Sequence, residues 1–530
     1  MSTKATWKVS AAVMASRVLG LVRDVLFAAL FATRVMDAFF LAFKVPNLLR
    51  DLFAEGALSQ AFVTTFSKKV KADGPQSAWG LANKMMTLTA VFMSAVSLIG
   101  ILVAPWIVEL LTVMARSGTT PREFDPDEVT LIVTMVRIMY PFILLVSLAA
   151  LAMGMLNARG VFGMPALSSC FFNLGSILGG VGFGYWIDPN WGSRALLGLA
   201  LGVVIGGLAQ LVCQFPALAK VGYRFAADFR WKDSGVRQIL RLMVPAVIAA
   251  SVVQVNVVIN SMFAYSLEEG SVSWLNYSFR LMQLPLGVFG VAVATVTLPA
   301  LSRAAIGGIS EDFRPTLAKG LRMVVFLVLP STLGLMLLAE PIIGVIFERG
   351  EFTAFDRAQT AAALRAYGFG LLFYSGLKIL QPSFYAIEKR WFPMLVSIGA
   401  LFVNVALNYT FVFVLGWGHS ALATTTSITA TMNFMILYLV MRKLVGDLGT
   451  SQLLALLLKL LVAGGAMGGV CYLARHYLMM DPAALPFGLL VLWLSLTVAT
   501  GAGVYFVAAK LLGVAEAEEA LDMMMRKLRR

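Results

Sequence analysis

Apolar runs of about 20–30 residues recur along the whole chain, separated by short polar connections, and each is long enough to cross a bilayer as a helix. They fall at roughly 9–32, 37–66, 79–104, 130–156, 162–186, 195–219, 238–266, 272–300, 318–338, 358–387, 392–416, 420–441, 453–477 and 485–511, which predicts about fourteen spans. Pro46, Pro245, Pro285 and Pro382 fall inside spans and predict kinks. Glycines four apart at Gly180/Gly184, Gly198/Gly202, Gly202/Gly206 and Gly464/Gly468 predict close helix contacts. Gly180 and Gly182 imitate a nucleotide loop, but no strand precedes them and the span is apolar, so packing is the better reading.

The polar connections alternate in charge. Lys68, Lys69 and Lys71 follow the second span, Lys220 to Arg241 surround the sixth connection, and Arg303, Lys319, Lys389 and Arg442 mark later ones. Arg526, Lys527, Arg529 and Arg530 end the chain on the same side. The opposite connections are acidic or near neutral, with Glu123, Asp125, Asp127 and Glu128 in one and Glu268 and Glu269 in another. The excess of Lys and Arg in cytoplasmic loops then places both termini in the cytoplasm and agrees with an even number of spans.

The pattern also repeats. Phe43-Lys44 and Phe279-Arg280 are offset by 236 residues, as are Pro105 and Pro341; Arg137 and Arg365, like Pro165 and Pro393, are offset by 228. With six spans in each repeat the halves keep one orientation, as parallel repeats about an axis along the membrane normal. The expected architecture is an all-α integral membrane protein with two parallel six-helix lobes, at 1–223 and 224–446, followed by two helices and a basic tail at 447–530.

Charges inside the first two spans change the picture. Arg17, Arg23, Asp24, Asp37, Lys44, Arg50, Asp51 and Glu55 lie where a charge costs about 2.5–3.5 kcal/mol near the bilayer centre. Such groups face protein or a water-filled cavity. Arg17, Arg23, Lys44 and Arg50 come from the first repeat and Arg280 from the matching helix of the second, so a mainly cationic cavity between lobes is expected. Arg matches phosphate oxygens bidentately and Lys is a compact charge, which points to an anionic, phosphorylated ligand. The carboxylates Asp24, Asp37, Asp51 and Glu55 either pair with these cations in the empty state, as gates, or form structural ion pairs within one lobe. Asp37 begins its predicted span, where a carboxylate suits the helix dipole. Arg137 and Arg365 lie near helix entries and read as structural.

Composition narrows the classes. The 530 residues are 59% hydrophobic and 13% charged, against about 25% charged in soluble proteins, so no separate soluble domain is expected. The net charge of +14 is accounted for by basic loops beside an anionic leaflet, and no nucleic acid is expected as partner. Cys170, Cys213 and Cys471 have no paired spacing, and the two histidines, His419 and His476, sit near helix ends. No metal set, phosphate loop or catalytic triad is present, so neither an enzyme nor a cofactor is expected. The first apolar segment carries Arg17 and Arg23 without a convincing cleavage site and is expected to remain as a helix.

The stretches SRVLGLVRD, DAFFLAFKVPNLLRDLFAEGALSQAF and SVSWLNYSFRLMQLPLGVFGVAVATVTLPALS closely resemble the MurJ/MviN family of lipid II flippases, within the multidrug/oligosaccharidyl-lipid/polysaccharide exporter superfamily. The resemblance extends over essentially the whole chain. It implies fourteen helices, the last two forming a groove for a lipid tail. It also implies alternating access that carries undecaprenyl-linked peptidoglycan precursor across the bacterial inner membrane, toward cell-wall and cell-shape functions. The family's cationic positions fall on Arg17, Arg23, Arg50 and Arg280, and its acids on Asp37 and Glu55. Carboxylates that hold sodium in some members correspond here to Asn260, Asn404 and Asn408, with Thr424 nearby, a weak site at most. Phe279 stands where relatives often carry Asp. The partners implied are lipid II, membrane lipids and cell-wall synthesis proteins. The residues alone leave open a flippase for another undecaprenyl-linked saccharide, a drug/cation antiporter, which would want an acid-rich cavity, and a non-transporting scaffold.

Overall fold

The computed structural model describes residues 3–52, 58–116, 125–306, 310–480 and 485–519, and every regular element among them is a helix. Glu55, Glu123 and the basic tail at 526–530 lie outside the described residues. The chain forms two compact units, 1–273 and 274–530.

The first unit contains α1 (Thr3–Leu30), α2 (Thr33–Leu49), α3 (Leu58–Arg116), α4 (Pro126–Met139), α5 (Pro141–Ala158), α6 (Gly163–Ile187), α7 (Leu196–Val212), α8 (Phe215–Lys220) and α9 (Ser234–Tyr265). Helix α10 (Ser271–Pro285) begins at its end. The second unit continues with α11 (Val291–Ala304), α12 (Phe313–Leu337), α13 (Ala339–Phe347), α14 (Ala354–Ala386), α15 (Trp391–Tyr409), α16 (Ser420–Val445), α17 (Thr450–Tyr477) and α18 (Phe487–Leu511).

Several expected spans are jointed rather than straight. The span expected over 37–66 leaves α-geometry at Arg50, in a π-type turn. The amide of Arg50 is shared between the carbonyls of Asn47 and Pro46, just after the proline that removes a helical donor. Helix α3 is two helices joined at Gly74, whose φ of 80° and ψ of 171° suit a residue without Cβ. Pro141 opens α5 directly after α4 ends, and Pro285 ends α10 before a π-turn at Leu286–Gly290. Pro245 and Pro382 lie inside α9 and α14, which continue through them.

The glycine spacings do what packing required of them. A Cβ on Gly198 would lie 2.1 Å from the Gly184 nitrogen, and one on Gly202 would lie 2.5 Å from the Gly180 nitrogen. On Gly206 it would lie 2.6 Å from the Phe172 carbonyl oxygen. Helices α6 and α7 therefore meet backbone to backbone along this strip. In the second unit a Cβ on Gly464 would meet Leu333 at 2.4 Å, so α17 lies close against α12. Phe326, Leu460, Met467, Cys471 and Tyr505 form the core that joins α12, α17 and α18, and the Tyr505 hydroxyl donates to the Phe326 carbonyl at 2.9 Å.

Among the described residues ten helices are long and apolar enough to cross a membrane. Large side chains such as Leu102, Trp106 and Leu110 on α3, and Leu458 and Val462 on α17, stand exposed in bands, which only a lipid solvent accommodates. Helices α1 and α14, of 28 and 33 residues, have the length but carry Arg17, Arg23 and Asp24, or Arg365 and Lys378, within it.

Candidate functional site

In the first unit the sequence-predicted charges resolve into adjacent pairs. On α1 the Arg23 guanidinium donates from Nε and Nη2 to Asp24 Oδ1, at 3.1 and 2.8 Å, and lies 5.8 Å from the centre of the Phe172 ring. Beyond α2 the same arrangement recurs. Arg50 Nε and Nη2 donate to Asp51 Oδ1 at 3.2 and 2.9 Å, and Gln254 of α9 reaches Asp51 Oδ2 at 3.4 Å. Arg17 on α1 and Lys44 on α2 are half-buried, and Asp51 is the acid whose field acts on Lys44. Asn173 of α6 ties α1 down beside these charges, donating to the Ser16 carbonyl at 3.0 Å.

Asp37 is different. It is 1% exposed and sits a turn inside α2, which begins at Thr33, so the dipole it serves is not that of its own helix. Its carboxylate accepts the backbone amides of Gly270 at 2.8 Å and Ser273 at 2.9 Å, and the Ser273 hydroxyl at 2.7 Å. These are donors at the N-terminus of α10, where a negative charge is favoured. The Tyr265 hydroxyl and the Ser273 hydroxyl also donate to the carbonyls of Asp37 and Thr33. One buried acid thus holds α2 to the α9–α10 connection. Sequence reading singled out Asp37 but missed Ser273, Gly270, Gln254 and Asn173; the serine-rich start of α10 was the available signal.

In the second unit Arg280 is half-buried on α10, and Phe279 beside it packs on Tyr367 with centroids 5.4 Å apart. Asn404 and Asn408 are 1% and 0% exposed and belong to a hydrogen-bonded chain between α15 and α16. Asn408 donates to Asn404 Oδ1 at 3.2 Å, Asn404 donates to Thr429 Oγ1 at 3.3 Å, and Thr425 donates to Asn408 Oδ1. Thr424 donates instead to the Ser420 carbonyl at 2.9 Å. In the first unit Asn260 donates to Asn256 Oδ1 at 3.3 Å. No cluster of three or more His, Cys, Asp or Glu side chains suited to a metal occurs among the described residues.

The matched arginines of the repeat have unlike partners. Arg137 donates to the Ile101 carbonyl at 3.3 Å. Arg365 pairs with Glu340 Oε1 at 2.6 Å, and Arg475 of α17 takes the other oxygen at 2.9 Å. Glu340, also missed in the sequence, fastens the penultimate helix to α14. Burial by itself would raise its pKa; the hydrogen bond from Arg365 and the fields of the nearby arginines outweigh that and lower it.

Against known proteins, the profile of the family described as Lipid II flippase MurJ matches residues 26–491. The chain is 38% identical over 440 residues to a probable lipid II flippase MurJ of Vibrio cholerae serotype O1, covering 81% of each. It is 35% identical over 511 residues to the probable lipid II flippase MurJ of Bdellovibrio bacteriovorus, covering 96% of this chain and 94% of that one. Among solved structures, one described as lipid II flippase MurJ in an inward closed conformation superposes with a TM-score of 0.75 at 24% identity, over 98% and 99% of the two chains. An inward-facing multidrug resistance MATE transporter shares the fold at a TM-score of 0.67 and 14% identity, over 82% and 96%.

Proposed function

The chain belongs to the lipid II flippase MurJ family, and we propose that it carries lipid II from the cytoplasmic to the periplasmic leaflet of the bacterial inner membrane by alternating access. It is a multi-pass transporter and not a catalyst. Helices α1, α2 with the start of α3, α9 and α14 then span the membrane beside the ten apolar ones, giving fourteen spans with both termini cytoplasmic. Its lobes are 1–223 and 224–446, and 447–530 supplies the helix pair beside which the lipid tail travels.

The observation that carries the mechanism is the pairing of Arg23 with Asp24 and of Arg50 with Asp51. Each arginine is satisfied by a neighbouring carboxylate through one oxygen. A pyrophosphate offers several anionic oxygens and competes for the same guanidinium donors. Binding thus exchanges one charge-assisted contact for another, and without ligand Arg23 and Arg50 each keep a carboxylate partner in low dielectric. Arg17 and Lys44 from the first repeat and Arg280 from the second would complete the grip on the same headgroup, with Asp24, Asp37 and Glu55 as gating acids. The membrane potential is the proposed drive, since about 2.3 kcal/mol is available per charge per 100 mV.

The deciding experiment follows fluorescent lipid II in vesicles reconstituted with the purified protein, alongside the undecaprenyl lipid that accumulates when the protein is depleted in cells. Movement of lipid II, and its accumulation on depletion, is the expected result. Accumulation of a different undecaprenyl-linked saccharide, with lipid II immobile in vesicles, would overturn the assignment.

A further inference from the structure

The connection between α8 and α9 is not a loose loop. Residues 223–232 have no regular secondary structure and lie along one stripe of α3, where Trp79, Asn83 and Thr87 recur every four residues. Tyr223 is buried and packs on Trp79 with ring centroids 5.3 Å apart. Asn83 donates to the Arg224 carbonyl at 3.5 Å and accepts from the Ala226 amide at 3.3 Å, and Thr87 accepts from the Asp228 amide at 3.1 Å. Lys84 closes the stripe on Asp233 at 2.6 Å, and that hydrogen bond holds the Asp233 carboxyl below its usual range. One side of the segment is therefore fastened to the helix.

The other side is aromatic and basic. Phe225 and Phe229 are 59% and 64% exposed, although both belong to a docked, ordered segment. Around them Lys220, Arg224, Lys232, Arg237 and Arg241 are exposed and have no acidic partner among the described residues. The two acids present are already engaged, Asp228 by Arg230 at 2.8 Å and Asp233 by Lys84. The position is equally specific. Helix α8 ends at Lys220, α9 starts at Ser234, the apolar stretch of α3 starts at Gln76, and Arg159, just past the end of α5, lies 5.9 Å from the Trp79 ring centre. Tyr223 and Arg159 thus both meet Trp79, three residues into the apolar stretch of α3.

We propose that residues 223–232 form an interfacial strap, with Phe225 and Phe229 inserted among lipid headgroups and the surrounding cations bound to anionic phospholipid. A bilayer is the occupant that fits both chemistries: aromatic rings favour the headgroup level, and unpaired cations are drawn to an anionic leaflet. A strap held to α3 by hydrogen bonds presents these groups without further ordering, and the start of α9 is fixed relative to the membrane surface as a result. The inference needs a multi-pass protein only and is independent of the cargo.

The test places an environment-sensitive fluorophore at Phe229→Cys in a Cys213→Ser background, since Cys170 and Cys471 are buried. The protein is reconstituted in phosphatidylethanolamine vesicles with or without phosphatidylglycerol, and quenching by lipids brominated high on the acyl chain is measured. Quenching in both, stronger with phosphatidylglycerol, is expected. Arg224→Gln with Lys232→Gln should reduce that anionic-lipid dependence about fivefold for each cation removed. Phe225→Ser should weaken quenching in both compositions. A folded, monodisperse protein whose probe is unquenched by either lipid would overturn the strap. Quenching indifferent to phosphatidylglycerol would overturn its electrostatic half. A probe shielded only when cytosolic proteins are added would assign the surface to a protein and overturn the proposal.

Discussion

Arg23 and Asp24 are neighbours in sequence and partners in space, so the pair carries almost no net charge while its donors stay available for exchange. Arg23→Ala is expected to abolish growth support while the protein still reaches the membrane; full complementation would end its proposed role in binding. Asp24→Asn should act in the opposite sense on affinity. It removes the competitor for the guanidinium, so lipid II should bind more tightly and leave more slowly, with transport reduced several-fold, as measured by binding to detergent-solubilised protein and by flipping in vesicles. Asp37, also proposed as a gating acid, is held here by donors from another segment. Its two backbone contacts and one hydroxyl contact are charge-assisted and buried, so Asp37→Asn should cost about 1–3 kcal/mol and lower the thermal midpoint, with Ser273→Ala costing less. Equal melting of wild type and Asp37→Asn would refute that. The arginines were legible as deep charges because a bilayer makes every such charge conspicuous. The receptor of Asp37 was not, since it lies 233 and more residues away in the chain.

At the scale of elements, the small-residue strip between α6 and α7 controls how close two helices come. Gly202→Leu would drive a branched side chain into the Gly180 backbone and should cost about 1–3 kcal/mol as overpacking. A lowered midpoint and looser detergent-resistant packing are expected. Gly182→Leu is the control, because a Cβ there meets nothing within 4 Å. The four-residue glycine spacing was readable from the sequence, because close approach in lipid depends on small residues at helical period. The joints were only half readable. Proline marks where a donor is missing, yet α9 and α14 continue through Pro245 and Pro382 while α10 stops at Pro285, and neighbouring contacts decide between those outcomes.

At the scale of the whole molecule, two expectations concern how parts serve transport. Truncation after Lys443 removes α17 and α18, the helices outside the repeat, and with them Arg475 and the contacts of Met467 and Tyr505 with α12. The shortened protein is expected to insert yet fail to move lipid II; normal flipping by it would show the helix pair to be dispensable. The second concerns coupling. Asn404 Oδ1 accepts from Asn408 within α15, Asn408 Oδ1 and Thr429 Oγ1 accept across α15 and α16, and the cluster has no formal negative charge. A dehydrated sodium ion should therefore bind weakly there. Flipping in vesicles is expected to follow the membrane potential and to change little when sodium is replaced by potassium or choline at constant ionic strength. A strict sodium requirement lost in Asn408→Ala would show that neutral oxygens suffice.

Read alone, the chain determined its solvent, its helical class, its small-residue contacts and the charges out of place in lipid. Each follows from local quantities: the length of an apolar run, a period along one helix, the cost of one ion in hydrocarbon. The tertiary structure decided which acid meets which donor. It gave Asp24 and Asp51 to adjacent arginines, Asp37 to the amides opening α10, and Glu340 to Arg365 and Arg475 together. It also turned a basic connection into a strap lying along α3. Those choices depend on geometry between segments distant in sequence. A carboxylate's preference among several cations and amides is settled by which of them the packed helices bring within about 3 Å, and composition carries no record of that.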